Sequence, residues 1–384
     1  MLPLNDIIIM DKRYRRYCSG GIIMSDKIRL GIIFGGKSGE HEVSLMSAAS
    51  VINAVDKSKY QVVCIGITKE GEWLLFEGAS EDIENGRWEE QAKEMLKNDP
   101  KKYRFNIIGS FGLKTRVDIA FPVLHGPFGE DGTIQGLFEM ADIPYVGAGV
   151  LGSSAAMDKA CSKIIFEQVN LPICKYKVIL RSNFEKNRED TISLIEKEFQ
   201  YPMFVKPSNL GSSVGITKAH HRKELIDALL EACRHDRKIL IEEFVNCREI
   251  ETSVIGNDDL RAAAVGEIIP SKEFYDYEAK YFDGGKSKLC IPADISDFQK
   301  DQIRTYAIKA YQALDCCGFA RVDFFIEKDT GEVLINEINT IPGFTRYSML
   351  PLLWKEQGID YPQLIDKLII YGLERYKEKQ RCKV

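Results

Sequence analysis

The segment Arg29 to Phe34 is a short run of β-branched and apolar residues that stops at Gly35-Gly36, and from Val43 to Val55 apolar residues recur at helical spacing. Strand, glycine turn, helix is the opening of an α/β layer, and it commits the neighbouring chain to elements that can pack on a sheet. Val62 to Thr68 and Val117 to Leu124 read as two more buried strands, and Ile143 to Val146 as a short one. Between them Glu81 to Arg104 is charged and irregular and is expected to form a surface insertion. With 384 residues the chain exceeds one small core and suits two or three packed domains.

Gly147 to Gly152 reads as a hinge into a second unit, which holds a helix from Ser154 through Met157-Asp158-Lys159 toward Gln168. A strand at Pro202 to Lys206 and a helix at Thr217 to His235, with Leu225, Leu229 and Cys233 on one face, complete that unit. A third unit starts near Ile239, with strands at Ile239 to Phe244, Ile250 to Ile255 and Arg261 to Ile268. After a polar and aromatic loop come a helix at Asp297 to Leu314, strands at Phe319 to Ile326 and Val333 to Glu337, and a last helix from Pro362 to about Lys377.

The expected division is therefore a disordered N-terminal extension over 1–26, then units over 27–148, 149–238 and 239–384. A net charge of −5 gives no sign of a nucleic-acid partner, and no apolar run approaches the ~20 residues that span a bilayer. The basic residues near the N-terminus follow a broken apolar run, the wrong order for a secretory signal. Ten cysteines without CxxC spacing suggest neither a zinc site nor a disulfide framework, and a reducing cytoplasm fits best.

Gly31-Ile-Ile-Phe-Gly-Gly36-Lys37-Ser38 satisfies the P-loop pattern, but its middle residues are strand-core residues and leave too little loop to wrap phosphates. That match is rejected. The turn Gly211-Ser212-Ser213-Val214-Gly215 after Lys206 is a better phosphate cradle, because small residues let backbone N–H groups and hydroxyls approach an anion. A solvated hairpin with a snorkelling lysine explains this segment equally well.

Alternate residues of a strand share a face, so Arg321 with Asp323, and Glu337 with Asn339, each point one way. Two neighbouring strands would then present two carboxylates, an amide oxygen and a guanidinium together, hard oxygen donors of the kind that suit Mg²⁺ carrying ATP phosphates. Such a face could instead meet water, yet Phe319 to Ile326 is otherwise apolar, and a buried carboxylate needs a partner. Glu42 near a helix start could simply favour the positive helix end. His125, at the end of a strand, stands where α/β sheets place ligand contacts, although a lone histidine there is more often structural.

Five segments in order carry a resemblance. They are Gly35-Gly36-Lys-Ser-Gly-Glu-His41-Glu42-Val-Ser44; Leu124-His125-Gly-Pro-Phe-Gly-Glu130-Asp131-Gly132; Phe204 to Gly215; the loop Ser271 to Tyr281, ending Lys280-Tyr281; and Gly318 to Asp323 with Asn336 to Ser348. From about Ile28 to the C-terminus the chain resembles the D-alanine–D-alanine ligases of the ATP-grasp superfamily. The resemblance implies an α/β ATP-grasp fold behind an N-terminal Rossmann-like domain, and ATP-dependent ligation of two D-alanines through an acyl phosphate for peptidoglycan precursors.

It further implies ATP and two Mg²⁺ (or Mn²⁺), the metals held by Asp323, Glu337 and Asn339, and a homodimer. Lys159, Lys206 and Lys280 match phosphate lysines. Ser213 lies in the phosphate turn; Glu242, Glu243 and Val245 match the segment meeting adenine, and Glu249 matches the ribose carboxylate. Glu42 would hold the first D-alanine's amino group, in a trio with Ser212 and Tyr281, with His125 near that substrate's carboxylate. Arg321 and the Gly343 N–H would stabilise the oxyanion, and Ser348 with Arg321 would grip the second carboxylate. Ligation to D-lactate or D-serine, or a nucleotide-binding regulatory protein without turnover, are the alternatives.

Overall fold

The computed structural model describes residues 27–105, 116–211, 215–269 and 288–382. In the first sheet β1 (Ile28–Gly35) runs parallel to β2 (Tyr60–Ile67) and to β4 (Ile119–Val123), and β3 (Trp73–Phe76) adds antiparallel to β2, in the order β3-β2-β1-β4. Leu30, Ile32 and Phe34 enter one core cluster while Ile33 enters another across the sheet. A strand buried on both faces has no polar alternation, which is why the run from Arg29 reads as continuously apolar. Gly31 to Gly35 lie inside β1, so no phosphate-wrapping loop is present in that P-loop match. At Gly35 φ is +87°, and a β-carbon there would lie 2.2 Å from the Ile67 carbonyl oxygen, so the turn into the helix His41–Ala54 requires glycine.

Glu81 to Arg104 is not irregular. It folds as helices Ser80–Glu84, Trp88–Asn98 and Pro100–Tyr103. Trp88 is buried, packs edge-on against Phe34 with ring centroids 5.0 Å apart, and leaves no room for a β-carbon on Gly66. Trp88 and Ala92, one turn apart, are the only fully buried residues of that middle helix, and a stripe so narrow among charges does not register as a helical pattern. The expected strand at Ile143 to Val146 reduces to a bridge between Ala120 and Tyr145.

The expected helix after Ser154 is two helices, Val150–Met157 and Lys159–Gln168, broken at Asp158, whose side chain caps the second by accepting from the Cys161 N–H at 3.1 Å. The second sheet, β5-β8-β6-β7, is antiparallel and comprises β5 (Tyr176–Leu180), β6 (Met203–Pro207), β7 (Thr217–Ala219) and β8 (Lys238–Glu243). Thr217 to Ala219 is thus strand, and the helix starts only at Arg222, burying Leu225, Ala228, Leu229 and Ala232. The strand at Ile239, expected to open the third unit, instead pairs between β5 and β6.

The third sheet has the path β12-β11-β9-β13-β14, with β10 (Arg261–Ala262) on β9 (Cys247–Gly256). Its other strands are β11 (Gly266–Ile269), β12 (Lys288–Cys290), β13 (Gly318–Glu327) and β14 (Val333–Asn339). The helix Asp297–Ala313, opened by a Ser296/Gln299 capping box, covers this sheet. The last helix, Tyr361–Lys379, turns back to the beginning of the chain: Leu364, Ile365, Leu368 and Ile369 are buried in the same cluster as Leu30, Ile32 and Phe34. Among the described residues no helix is long and apolar enough to cross a membrane.

Candidate active site

The alternation expected on β13 and β14 holds. Arg321 lies opposite Asn339 and Asp323 opposite Glu337, with a bulge immediately after Asp323. Arg321 donates to both Asp323 oxygens at 2.7 Å, Asn339 Nδ2 donates to Asp323 Oδ2 at 3.0 Å, and Glu251 of β9 brings a third carboxylate within 3.1 Å of Arg321 Nε. Burial works against the Arg321 charge, but Asp323 and Glu251 outweigh it and hold the guanidinium well above its ordinary range. Glu251 carried no signal in sequence beyond its place on a strand.

Charges of both signs continue away from this face. Lys159 Nζ lies 3.1 Å from Glu337 Oε2 and donates to the Leu210 carbonyl at 2.8 Å. Buried Lys206 pairs with Glu242, whose other oxygen lies 2.6 Å from Lys163 Nζ. Burial would raise the Glu242 carboxyl, yet the two lysines overcome it and bring it down to about 2. Lys163 was missed in the sequence reading; its position one helical turn after Lys159 is the signal that could have found it. Glu243 faces away from this run, accepting the Lys175 N–H at 2.7 Å, as strand alternation after Glu242 demands. Val245 sits half-buried in the connection from β8 to β9, and Glu249 is half-buried on β9.

The third group surrounds the turn after β4. Glu40, not Glu42, is the acid here. A β-carbon on Gly126 would lie 2.4 Å from Glu40 Oε2, and one on Gly211 2.8 Å, so this buried carboxylate stands between the His125 loop and the turn that leads to Ser212. Glu42 is turned outward, half exposed and paired with Lys69. His125 is buried with both ring nitrogens engaged, Nδ1 2.7 Å from the Ile341 carbonyl and Nε2 3.1 Å from Ser47 Oγ, and burial holds its pKa below the ordinary value. It therefore offers no free nitrogen to a substrate carboxylate in this conformation. Glu130, a motif residue with no expected role, accepts the Gly126 and Ile341 N–H groups at 2.9 and 3.0 Å, and burial followed by the nearby Glu40 charge pushes its carboxyl up to about 8.

Ser348 stands beside Gly343, its Oγ accepting the Thr345 N–H at 3.0 Å. Ser212, Ser213, Lys280 and Tyr281 lie outside the described residues. Among the described residues no group of three or more His, Cys, Asp and Glu side chains is set to hold a metal. The donor set therefore relies on the Asn339 amide beside the Asp323 and Glu337 carboxylates, an all-oxygen set that fits a hard divalent cation. Cavities of about 190 and 390 Å³ lie elsewhere, the first against Tyr145 and Arg375 and the second against Trp73 and Tyr103.

Two family models match, described as the D-ala D-ala ligase N-terminus over residues 29–148 and the D-ala D-ala ligase C-terminus over 165–370. Proteins named D-alanine–D-alanine ligase from Acetivibrio thermocellus and Ruminiclostridium cellulolyticum are each 52% identical over 370 residues, covering 92% of this chain and 98% of the relative. Among solved structures, the VanG D-Ala:D-Ser ligase from Enterococcus faecalis is 39% identical with a TM-score of 0.78, covering 90% of this chain and 99% of that one. The D-alanine–D-alanine ligase from Coxiella burnetii is 32% identical with the same TM-score, over 93% and 97%.

Proposed function

The chain belongs to the D-alanine–D-alanine ligase family, and from that premise we propose that it joins two D-alanines in an ATP-dependent reaction that supplies peptidoglycan precursors. One observation carries the assignment of the site: Lys163 and Lys206 on Glu242, Lys159 on Glu337, whose charge also acts on Lys206, and Arg321 with Asp323 opposite Glu337 gather cations and carboxylates of both signs. A surface of that kind is suited to a polyanion reacting with a carboxylate. Each cation already rests on an acid, so an incoming phosphate exchanges one anionic partner for another rather than meeting a bare charge.

In the first step an oxygen of one D-alanine carboxylate attacks the γ-phosphate, the bond to ADP breaks, and an acyl phosphate results. The second D-alanine, as its free amine, then attacks the acyl carbon; the C–N bond forms, the C–O bond to phosphate breaks, and phosphate and one amine proton leave. Lys159 and Lys206 orient and neutralise the transferring phosphates, and the motifs assign Lys280 and Ser213 to the same phosphate contacts. Glu242 and Val245 meet the base and Glu249 the ribose. Glu40 holds the first amino group, the role first expected of Glu42, with Ser212 and Tyr281. Arg321 and the Gly343 N–H stabilise the oxyanion, and Ser348 with Arg321 holds the second carboxylate.

Asp323, Glu337 and Asn339 are the residues that would hold Mg²⁺ (or Mn²⁺), which when bound neutralises phosphate charge. A cytoplasmic homodimer completes the reading. The test is phosphate release with ATP and Mg²⁺ in D-alanine alone, with added D-lactate and with added D-serine, each product separated by chromatography. D-alanine alone should suffice and D-alanyl-D-alanine should dominate. Similarity to a structure described as a D-Ala:D-Ser ligase favours D-serine as the second reading, and release that depends on D-serine would establish it instead.

A further inference from the structure

Ile341 belongs to the loop that carries Gly343, and both of its backbone polar groups are held by side chains from one remote loop. Its N–H donates to Glu130 Oε1 at 3.0 Å and its carbonyl accepts from His125 Nδ1 at 2.7 Å, across 211 and 216 residues of chain. Glu130 Oε2 accepts the Gly126 N–H at 2.9 Å, which ties the carboxyl group back to its own loop. With Nδ1 donating, neutral His125 uses Nε2 to accept from Ser47 Oγ at 3.1 Å, and Ser47 Oγ in turn accepts the Phe344 N–H at 3.4 Å. Arg346 N–H donates to Ser50 Oγ at 3.1 Å.

Every one of these partners belongs to elements around the first sheet, although the loop itself extends from β14 of the third. His125, Glu130 and Ser47 are buried. Between the clamped Ile341 peptide and the Phe344 N–H stand only Pro342, whose ring fixes φ, and Gly343. Gly343 has no side chain of its own to set the direction of its N–H. That direction is therefore imposed from outside.

We propose that Glu130 and His125 are positioning residues: by gripping both polar atoms of the Ile341 peptide they aim the Gly343 N–H at the oxyanion of the second step. The inference rests on the oxyanion role proposed for Gly343, and it reassigns His125 from a substrate contact to a support for the loop. Both side chains are occupied by partners within the protein: the Ile341 N–H and carbonyl, the Gly126 N–H and Ser47 Oγ. Their removal should leave ATP binding and acyl phosphate formation largely intact and slow peptide bond formation.

The experiment uses the full chain with Glu130→Gln and His125→Gln. Glutamine keeps the shape of Glu130 but turns an amide NH₂ toward one of the two backbone donors, so one tie is lost. Dipeptide formation should fall about tenfold to hundredfold, the scale for a displaced catalytic group, with KM for ATP within about twofold. Exchange of the β,γ-bridging oxygen of labelled ATP in the presence of D-alanine, which reports reversible acyl phosphate formation, should persist near the unaltered rate. Equal losses of exchange and dipeptide, or no loss of either, would overturn the proposal. If Glu130→Gln fails to fold, His125→Gln, which leaves both Glu130 ties in place, must show the same split. An unaltered chain that makes no dipeptide and releases no phosphate would refute the reaction itself, whereas an active chain without the split refutes only the clamp.

Discussion

Glu40 and Glu42 stand two positions apart where the helix His41–Ala54 begins, and at 3.6 residues per turn they leave it on nearly opposite sides. Glu40→Gln should lower kcat/KM for the first D-alanine by about thirtyfold or more, since truncating one partner of a buried charge contact costs about 2 kcal/mol at least. Glu42→Gln should change it by less than about twofold, because an exposed pair such as Glu42 with Lys69 contributes ~0–1 kcal/mol to anything. Steady-state kinetics at saturating ATP decides; equal effects would remove Glu40 from the site. Glu130 gives a pH prediction. Its carboxyl is raised from 4.5 to about 8 in the folded protein, so between those values the folded chain keeps a proton that the unfolded chain has released. Stability from this group is complete below the lower value and declines as pH rises through the window. The melting temperature of Glu130→Gln relative to the unaltered chain should therefore rise from pH 5 to pH 8, and a flat difference would place Glu130 in a different charge state.

At the scale of the element, β14 shows how a strand divides its work. Glu337 and Asn339 share the face that meets Arg321 and Asp323, while Asn336 is the extra residue of the bulge, skipped in the register between Ile335 and Glu337; Ile335 and Ile338 on either side enter the core. Glu337→Gln should keep the melting temperature within about 2 °C, as expected of a substitution that deletes no buried apolar contact, yet lose most Mg²⁺-stimulated turnover, because one anionic donor becomes neutral. Asn336→Ala removes a bulge residue outside the donor set and should leave turnover within about twofold. Thermal melts beside Mg²⁺ titrations of turnover separate the two; similar losses of turnover from both would show that the donor set does not single out Glu337. The same alternation sets Glu242 among the lysines and turns Glu243 toward Lys175. It was legible before the structure for β14, but for β8 the sequence marks both glutamates alike.

Across the whole molecule the C-terminal helix closes the fold on its beginning. Leu364, Ile365, Leu368 and Ile369 are at most 1% exposed within the core of the first sheet, and their burial contributes about 6–12 kcal/mol at the usual scale for such side chains. That is comparable with the whole stability of a domain. A chain ending at Gly358 should fail to give a cooperative thermal transition, and Leu368→Ala should cost about 2–5 kcal/mol in denaturant unfolding; a truncated chain that melts like the full one would show that the first sheet does not depend on this helix. Local pattern by itself determined the strand, glycine turn and helix at the start, the shared face of Glu337 and Asn339 opposite Arg321 and Asp323, and the family, because periods of two and 3.6 residues and motif spacing are properties of neighbours in the chain. Only the tertiary structure decided that Trp88 organises a charged segment into helices, that Lys238–Glu243 joins the second sheet, that Glu40 rather than Glu42 is buried against Gly126 and Gly211, and that His125 holds Ile341. Each of these depends on a partner tens to hundreds of residues away, and such a contact leaves no periodic trace in the sequence around either residue.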